Sequence, residues 1–329
     1  MKFSVIITTL NRADSIFMCL DSLVCQDYPK EKYEILIVNN NSTDNTEEVV
    51  EDYIRKYPEV NIRYYYVPKP GQVYARQIGI LASKNEILTF TDDDGILVKN
   101  WLKEIANVFE KNENAAGVAG KIEIKWDKTP PEWIHDYEEQ LGKLNYGDEI
   151  KYEIGLYMNA GNLSIKKDVL IDVGGFNPEM VGDWLLGDGE TGLWLRLKKN
   201  NYLIGWAPKA LMYHYQLADK NATVKDIKRR FMNNGICIPY NIYAINKEGT
   251  KALVKNMLYT FKQGMRWNIK KLKYTLAGNT KSRYYALFRA AFYYAQVKYS
   301  WKIITDKEFR NSLTKNDWLV KVNSNGALV

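Results

Sequence analysis

Three consecutive carboxylates, Asp92, Asp93 and Asp94, follow the apolar run Ile87–Phe90 in "ILTFTDDDGIL". Crowded like charges disfavour ionisation unless something positive sits among them. Two arrangements meet that requirement: a turn whose charges are solvated, or a divalent cation. Hard oxygen ligands suit Mg²⁺ or Mn²⁺, which bind through one or two carboxylates together with substrate phosphates. An EF-hand is excluded, because its loop alternates its acids whereas these are contiguous, and Lys103 stands at the twelfth position. No G-x-x-x-x-G-K occurs, and no G-x-G-x-x-G follows the first apolar segment, so neither a P-loop nor a nicotinamide-binding turn is present.

The segments that must position these acids alternate in character. "FSVIITTL", "YEILIV", "NIRYYYV" and "EILTFT" are short apolar runs that predict strands. Between them "SIFMCLDSLVCQ", "STDNTEEVVEDYIRKY" and "QVYARQIGILAS" carry helical spacing, and "LVKNWLKEIANVFEKN" follows the aspartates as a further helix. Ser42, Thr43 or Asp44 with Glu47 predicts a capped start for the second helix. Such alternation implies a mostly parallel sheet with helices on both faces, and ligands on such sheets bind at the carboxyl ends of the strands. The loops "TTLNR", "NNNSTD" and "TDDDG" should therefore open onto one crevice. Further on, "AAGVAGKIEIKW" predicts a strand and "DKTPPEWIHDY" a loop. "NAGNLSIKKDVLIDVGGF" reads as strand, helix and turn, and "GDGETGLWLRLKKNNYLIGWAP" as loop, helix and strand.

The 329 residues suffice for one large domain with an extension, and 46% of them are hydrophobic, enough for a sizeable core. Cys19, Cys25 and Cys237 show no C-x-x-C spacing, which argues against a disulfide framework or zinc cluster and fits a reducing compartment. No secretory leader and no apolar run of the length that spans a bilayer is visible. The net charge of +7 is unevenly spread. Residues 218–329 hold 22 Lys and Arg against 6 Asp and Glu, a net +16, while residues 1–217 hold 24 against 33, a net −9. An acidic body and a basic, aromatic-rich, helical extension are thus expected, with a boundary near residue 217.

The order "VIITTLNR", "EILIVNNNSTDNT", "GQVYARQIGI", "ILTFTDDDG", "GDGETGLWLRL", "MYHY" resembles the family 2 glycosyltransferases over about residues 3–217. The resemblance implies a GT-A fold and transfer of a sugar, with inversion, from a nucleotide-sugar donor, a UDP-sugar being favoured. It makes the aspartates similar to the family's D-x-D motif, with Asp92 toward the ribose, Asp94 on Mn²⁺ or Mg²⁺, and Asp93 orienting either. Thr8, Thr9, Asn11 and Arg12 then touch base and phosphates, although Asn11 could instead cap a helix. Asn39 stands where the family commonly has an aspartate that bonds the base, and Arg76 matches an arginine near the donor. Glu190 aligns with the general base, Asp188 being second because Gly189 interrupts the usual acid pair, and a helix-terminal acid facing the dipole is the plainer role. His214 matches a histidine that completes the metal shell or contacts phosphate, a structural histidine being the plainer role. Trp126, Trp133 and Trp184, with Gly161 and Asn162 of "NAGN" and the "GGF" at 174–176, are candidates for shaping the acceptor side. Trp is equally a core residue.

Three readings of the extension stay open: a helical appendage packed on the body, an interfacial helix on an anionic membrane, and a nucleic-acid patch, for which no motif speaks. The combined expectation is a cytoplasmic enzyme, peripheral on the inner face of the membrane. It would build surface polysaccharide or glycoconjugate on a glycan or lipid-linked acceptor. The alternatives are a GT-A-like module that binds nucleotide or glycan without turnover, and a sugar-nucleotide pyrophosphorylase. The glycine-rich N-terminal signature of the latter is missing from "TTLNRADS".

Overall fold

The structure, a computed structural model, describes residues 1–68, 71–176, 180–181, 184–185 and 189–313. The first half follows the alternation read from the sequence: β1 (Phe3–Thr9), α1 (Ile16–Val24), β2 (Tyr33–Asn39), α2 (Thr46–Lys56), β3 (Asn61–Tyr66), α3 (Gln72–Ala82) and β4 (Ile87–Asp92). These four strands are parallel in the order β3-β2-β1-β4. A short β5 (Gly95–Leu97), which the pattern does not announce, separates β4 from α4 (Trp101–Lys111). The predicted cap at Ser42, Thr43 or Asp44 falls one residue later: Asn45 is the N-cap of α2 without a side-chain cap bond. Asp44 instead accepts from the Thr46 amide at 3.1 Å.

Beyond α4 the sheet becomes mixed. β6 (Ala115–Trp126) leads to a 3₁₀ segment, Glu132–Leu141, where a proline loop was expected, then to β7 (Lys151–Ile154), β8 (Asn162–Lys166) and α5 (Lys167–Asp172). The two-residue strands β9 (Met180–Val181) and β10 (Trp184–Leu185) pair with each other, and α6 (Gly189–Lys199) leads into β11 (Leu203–Gln216). β8 runs antiparallel between β4 and β6; β11 is parallel to β6 and antiparallel to β5 and β7.

Alternate strand residues feed two cores. Phe3, Val5 and Ile7 of β1 and Ile35 and Ile37 of β2 face α1 and α4, whose Leu20, Leu23, Ile105 and Phe109 are fully buried. Ile6 and Leu36 face the opposite way, with Ile80 of α3, Leu170 of α5 and Leu193 and Leu197 of α6. Two polar knots lie in the interior. Glu34, 1% exposed, accepts from Ser4 Oγ at 2.6 Å, the Lys84 amide at 2.7 Å and Arg63 Nη1 at 2.8 Å. Asn162 accepts from Trp101 Nε1 at 2.8 Å and donates to the carbonyls of Lys121 and Ala210 at 2.9 and 2.8 Å.

From Ala218 the described chain is helical: α7 (Ala218–Asn221), α8 (Val224–Tyr240), α9 (Gly249–Leu276), α10 (Thr280–Thr305) and α11 (Lys307–Ser312). Phe231 of α8 and Phe288 of α10 pack with Ile134, Tyr137 and Leu141 of the 3₁₀ segment, fastening the extension to the body. α8 and α10 approach closely at Gly235, where a Cβ would lie 2.4 Å from the Phe292 carbonyl oxygen.

Two stability tests follow. Burial on its own raises the Glu34 pKa, but Ser4, Lys84 and Arg63 outweigh it and lower it below the usual carboxylate value. Its contribution is therefore present above the unfolded value and lost as pH falls through the folded one. Glu34→Gln should cost about 2 kcal/mol at neutral pH, and urea unfolding should show the gap to the parent closing below about pH 4. Gly235→Ala should force α8 from α10 and cost about 2 kcal/mol, read as a lowered Tm.

Candidate active site

β1, β2 and β4 are parallel neighbours, so the loops at their carboxyl ends open side by side, as expected. Thr8 lies opposite Asp92 and Thr9 opposite Asn39 in the ladder. Asn11 takes φ 53°, which asparagine tolerates better than most residues. It caps no helix. Its Oδ1 accepts from the Thr43 amide and its own amide donates to Ser42 Oγ, both at 2.8 Å. The Arg12 amide donates to Thr46 Oγ1 at 2.9 Å. The first and second loops are thus tied together, which aims the Arg12 side chain at the third.

The positive partners of the three aspartates come from three different elements. Arg12, after β1, places Nε 3.3 Å from Asp93 Oδ1 and Nη2 3.2 Å from Asp94 Oδ2. Arg76, on α3, places Nη2 3.4 Å from Asp92 Oδ1 and Nη1 2.9 Å from Glu190 Oε1, with its guanidinium over the Phe176 ring. His214, on β11, places Nε2 3.1 Å from Asp94 Oδ1, while Nδ1 faces the Leu141 carbonyl at 2.8 Å. That carbonyl can only accept, so Nδ1 carries a proton and Nε2 is turned to the carboxylate.

The environment separates the three acids. Burial raises Asp92, and Arg76 and His214 only partly oppose it. Burial likewise pushes Asp93 up to about 7 despite Arg12. Asp94 is partly buried too, but the close contact and charge of His214, with Arg12, bring it below the usual value. His214 moves upward: burial would lower it, and Asp94 outweighs burial.

The cluster fits a divalent cation. One ligand atom each from Asp92, Asp94 and His214 can lie within 4.8 Å of one another. Asp94 Oδ1 is buried without an aligned hydrogen-bond donor, since the His214 contact is an ion-pair distance only. Two carboxylate oxygens and an imidazole nitrogen suit Mn²⁺ or Mg²⁺. Gly161 keeps the space: a Cβ there would lie 2.8 Å from Asp92 Oδ2.

Other candidates are placed differently. Asn39 is buried and already engaged, donating to Tyr64 Oη and accepting from the Ser42 amide, both at 2.8 Å. Asn162 spends its side-chain amide inside the core, where it holds strands together. Trp133 packs among Tyr137, Tyr284 and Phe288 at the seam with the extension, where Trp126 also packs. Asp188 and the Trp184 side chain lie outside the described residues.

Several contributors were not singled out from the sequence. Asn40 Oδ1 accepts from the Gly71 amide at 3.1 Å, and Gly71, at φ 146°, opens α3; the proline–glycine pair in "PKPGQ" was the available sequence signal. Tyr215, Leu217, Lys220 and Asn221 line a 480 Å³ cleft with Asn11, Arg12 and Asp94. They lie on both sides of the boundary expected near residue 217.

The description Glycosyl transferase family 2 matches residues 4–174 of the chain. A poly(ribitol-phosphate) beta-glucosyltransferase of Bacillus spizizenii is 35% identical over 114 residues, 35% of this chain and 18% of its own. The chain spans between 18% and 57% of the length of such curated relatives. Among solved structures, the mannosyltransferase PcManGT of Pyrobaculum calidifontis, in complex with GDP-Man and Mn²⁺, superposes with a TM-score of 0.61 at 18% identity, over 92% of this chain and 87% of that one. S. aureus TarS 1-349 in complex with UDP-GlcNAc gives 0.54 at 17% identity, over 90% and 92%. These superpositions show the GT-A fold. With more than half of its residues matched by the family model, the chain belongs to glycosyl transferase family 2.

Proposed function

We propose that this protein transfers a sugar, with inversion, from a nucleotide-sugar donor, a UDP-sugar before others, to a glycan or lipid-linked acceptor in surface polysaccharide or glycoconjugate synthesis. The observation that carries the reading is the chain Asp94–His214, Asp92–Arg76–Glu190. It sets the Glu190 carboxylate a single guanidinium away from the cation-type cluster. The relative named for poly(ribitol-phosphate) supports a polymer acceptor, and the UDP-GlcNAc and GDP-Man complexes of the fold relatives support a nucleotide-sugar donor.

Asp92, Asp94 and His214 would hold the cation, which when bound neutralises the donor diphosphate and its developing charge. Thr8, Thr9, Asn11 and Arg12 line the donor end, Arg12 being free to exchange its aspartate partners for phosphate oxygens. Asp93 holds Arg12 in place. Asn39 contributes to the base pocket through what its amide retains beyond Tyr64 and Ser42, and through positioning of the loop Asn40–Thr43. In the transfer, the acceptor oxygen bonds to the anomeric carbon as the bond from that carbon to the diphosphate oxygen breaks. The diphosphate leaves with the electron pair, and Glu190 takes the acceptor proton. Arg76 fixes the Glu190 carboxylate on the acceptor side of the donor. We place the reaction on the cytoplasmic side of the membrane, in residues 1–217, with residues 218–329 as the extension.

Titration calorimetry with UDP, GDP, CDP and dTDP should show one nucleotide binding tightly with Mn²⁺ and weakly without it. Asp94→Asn should weaken that binding by about 10- to 100-fold. Failure of every nucleotide under both conditions would overturn the metal–nucleotide reading. Glu190→Gln should lower kcat by about 10²- to 10⁴-fold with nucleotide affinity retained. Full activity of that variant with loss in Asp188→Asn would move the base to Asp188. Tight nucleotide binding by a parent chain inert with every donor and acceptor would instead make it a binding module.

A further inference from the structure

α9 runs for 28 residues, yet its buried residues are Leu253, Thr260 and Gly264. That side lies on α10: Gly264 faces the Tyr294 ring, Asn268 donates to Tyr294 Oη at 3.0 Å, and Trp267 meets the Tyr285 ring edge-on. A second side is apolar and open. Leu258, Ile269 and Leu276 are 65%, 63% and 82% exposed, and Phe261, Met265 and Leu272 lie between them at 45–59%. Their steps of three and four residues keep all six within roughly a quarter of the helix circumference. Among the described residues nothing covers this stripe, and exposed apolar surface of this extent marks an interaction site.

The charges beside it narrow the occupant. Lys251, Lys255, Lys262, Arg266 and Lys273 follow one border of the stripe at helical spacing. No Asp or Glu occurs anywhere from Gly249 to Thr305. A second copy docked stripe to stripe would bring two such cationic borders together with no acid to neutralise either. An anionic surface with an apolar interior answers both features at once. No described helix is long and apolar enough to cross a membrane, so the fit is to a helix lying in the plane of one.

The geometry points to α9 as a membrane-docking helix for anionic phospholipid: the stripe enters the acyl boundary while the flanking lysines and arginine reach the headgroup phosphates. Long cationic stems allow that posture, their methylenes lying along apolar surface and their heads in the polar layer. This surface is separate from the residues proposed for sugar transfer, and its test contains neither donor nor acceptor.

The test is co-sedimentation of the full chain with phosphatidylcholine vesicles, with and without phosphatidylglycerol. The chain should pellet with the anionic vesicles, less so at high salt, and stay in solution with the neutral ones. Leu258→Glu combined with Ile269→Glu should lower partitioning by about tenfold or more without changing Tm, because both side chains stand in solvent. Lys255→Glu combined with Lys262→Glu should remove the preference for anionic lipid. Binding to neither vesicle overturns the proposal. So does a parent dimer that the Leu258→Glu, Ile269→Glu variant turns into a monomer, which would make the stripe an interface between copies.

Discussion

The structure is organised by the need to place positive charge among three crowded, largely desolvated carboxylates at the end of one strand. Removing adjacent aspartates from water is unfavourable unless counter-charge arrives with defined geometry. Here it arrives from three directions: Arg12 from the loop after β1, Arg76 from α3, and His214 from β11. Each donor depends on different packing. Arg12 needs the ties between its loop and the start of α2, Arg76 needs α3 seated against β1 and β2, and His214 needs β11 in register with β5 and β6. The site is therefore a property of the whole sheet.

Compensation is uneven, and that shapes the chemistry. Asp94 has both Arg12 and His214 beside it and is held anionic, while for Asp93 burial outweighs the shared Arg12 and draws it toward neutrality. The same three letters in the sequence thus become three different groups. Arg76 is shared as well, between Asp92 and Glu190, so the orientation of the carboxylate on α6 is coupled to the one on β4.

Much of this was legible in the residues. Apolar runs ending in "TTLNR", "NNNSTD" and "TDDDG" located β1, β2, β4 and the crevice they share, because parallel strands buried on both faces carry an unbroken apolar signal. β5 and β7 were not legible. They are three and four residues long, held by pairing with β11, and carry no periodicity of their own. Asparagine and tryptophan suit both binding and burial, so residue type alone could not announce the packing partners of Asn162 and Trp133, Trp101 and two carbonyls for one and an aromatic cluster for the other. Conversely, Lys220 and Asn221 gave no signal, since nothing local distinguishes a cleft-lining lysine from a solvated one.

The passage from β11 into α7 has a practical meaning. His214 and Tyr215 belong to the last strand, and within five residues Lys220 lines the same cleft as Arg12 and Asp94. The wall of the crevice on that side is built by the first turn of the extension. A version trimmed at the end of the sheet would keep every acidic residue of the cluster and still lose one side of the vessel that contains it. The smallest unit that could be transplanted, fused or evolved as a working whole therefore ends beyond the sheet, not with it.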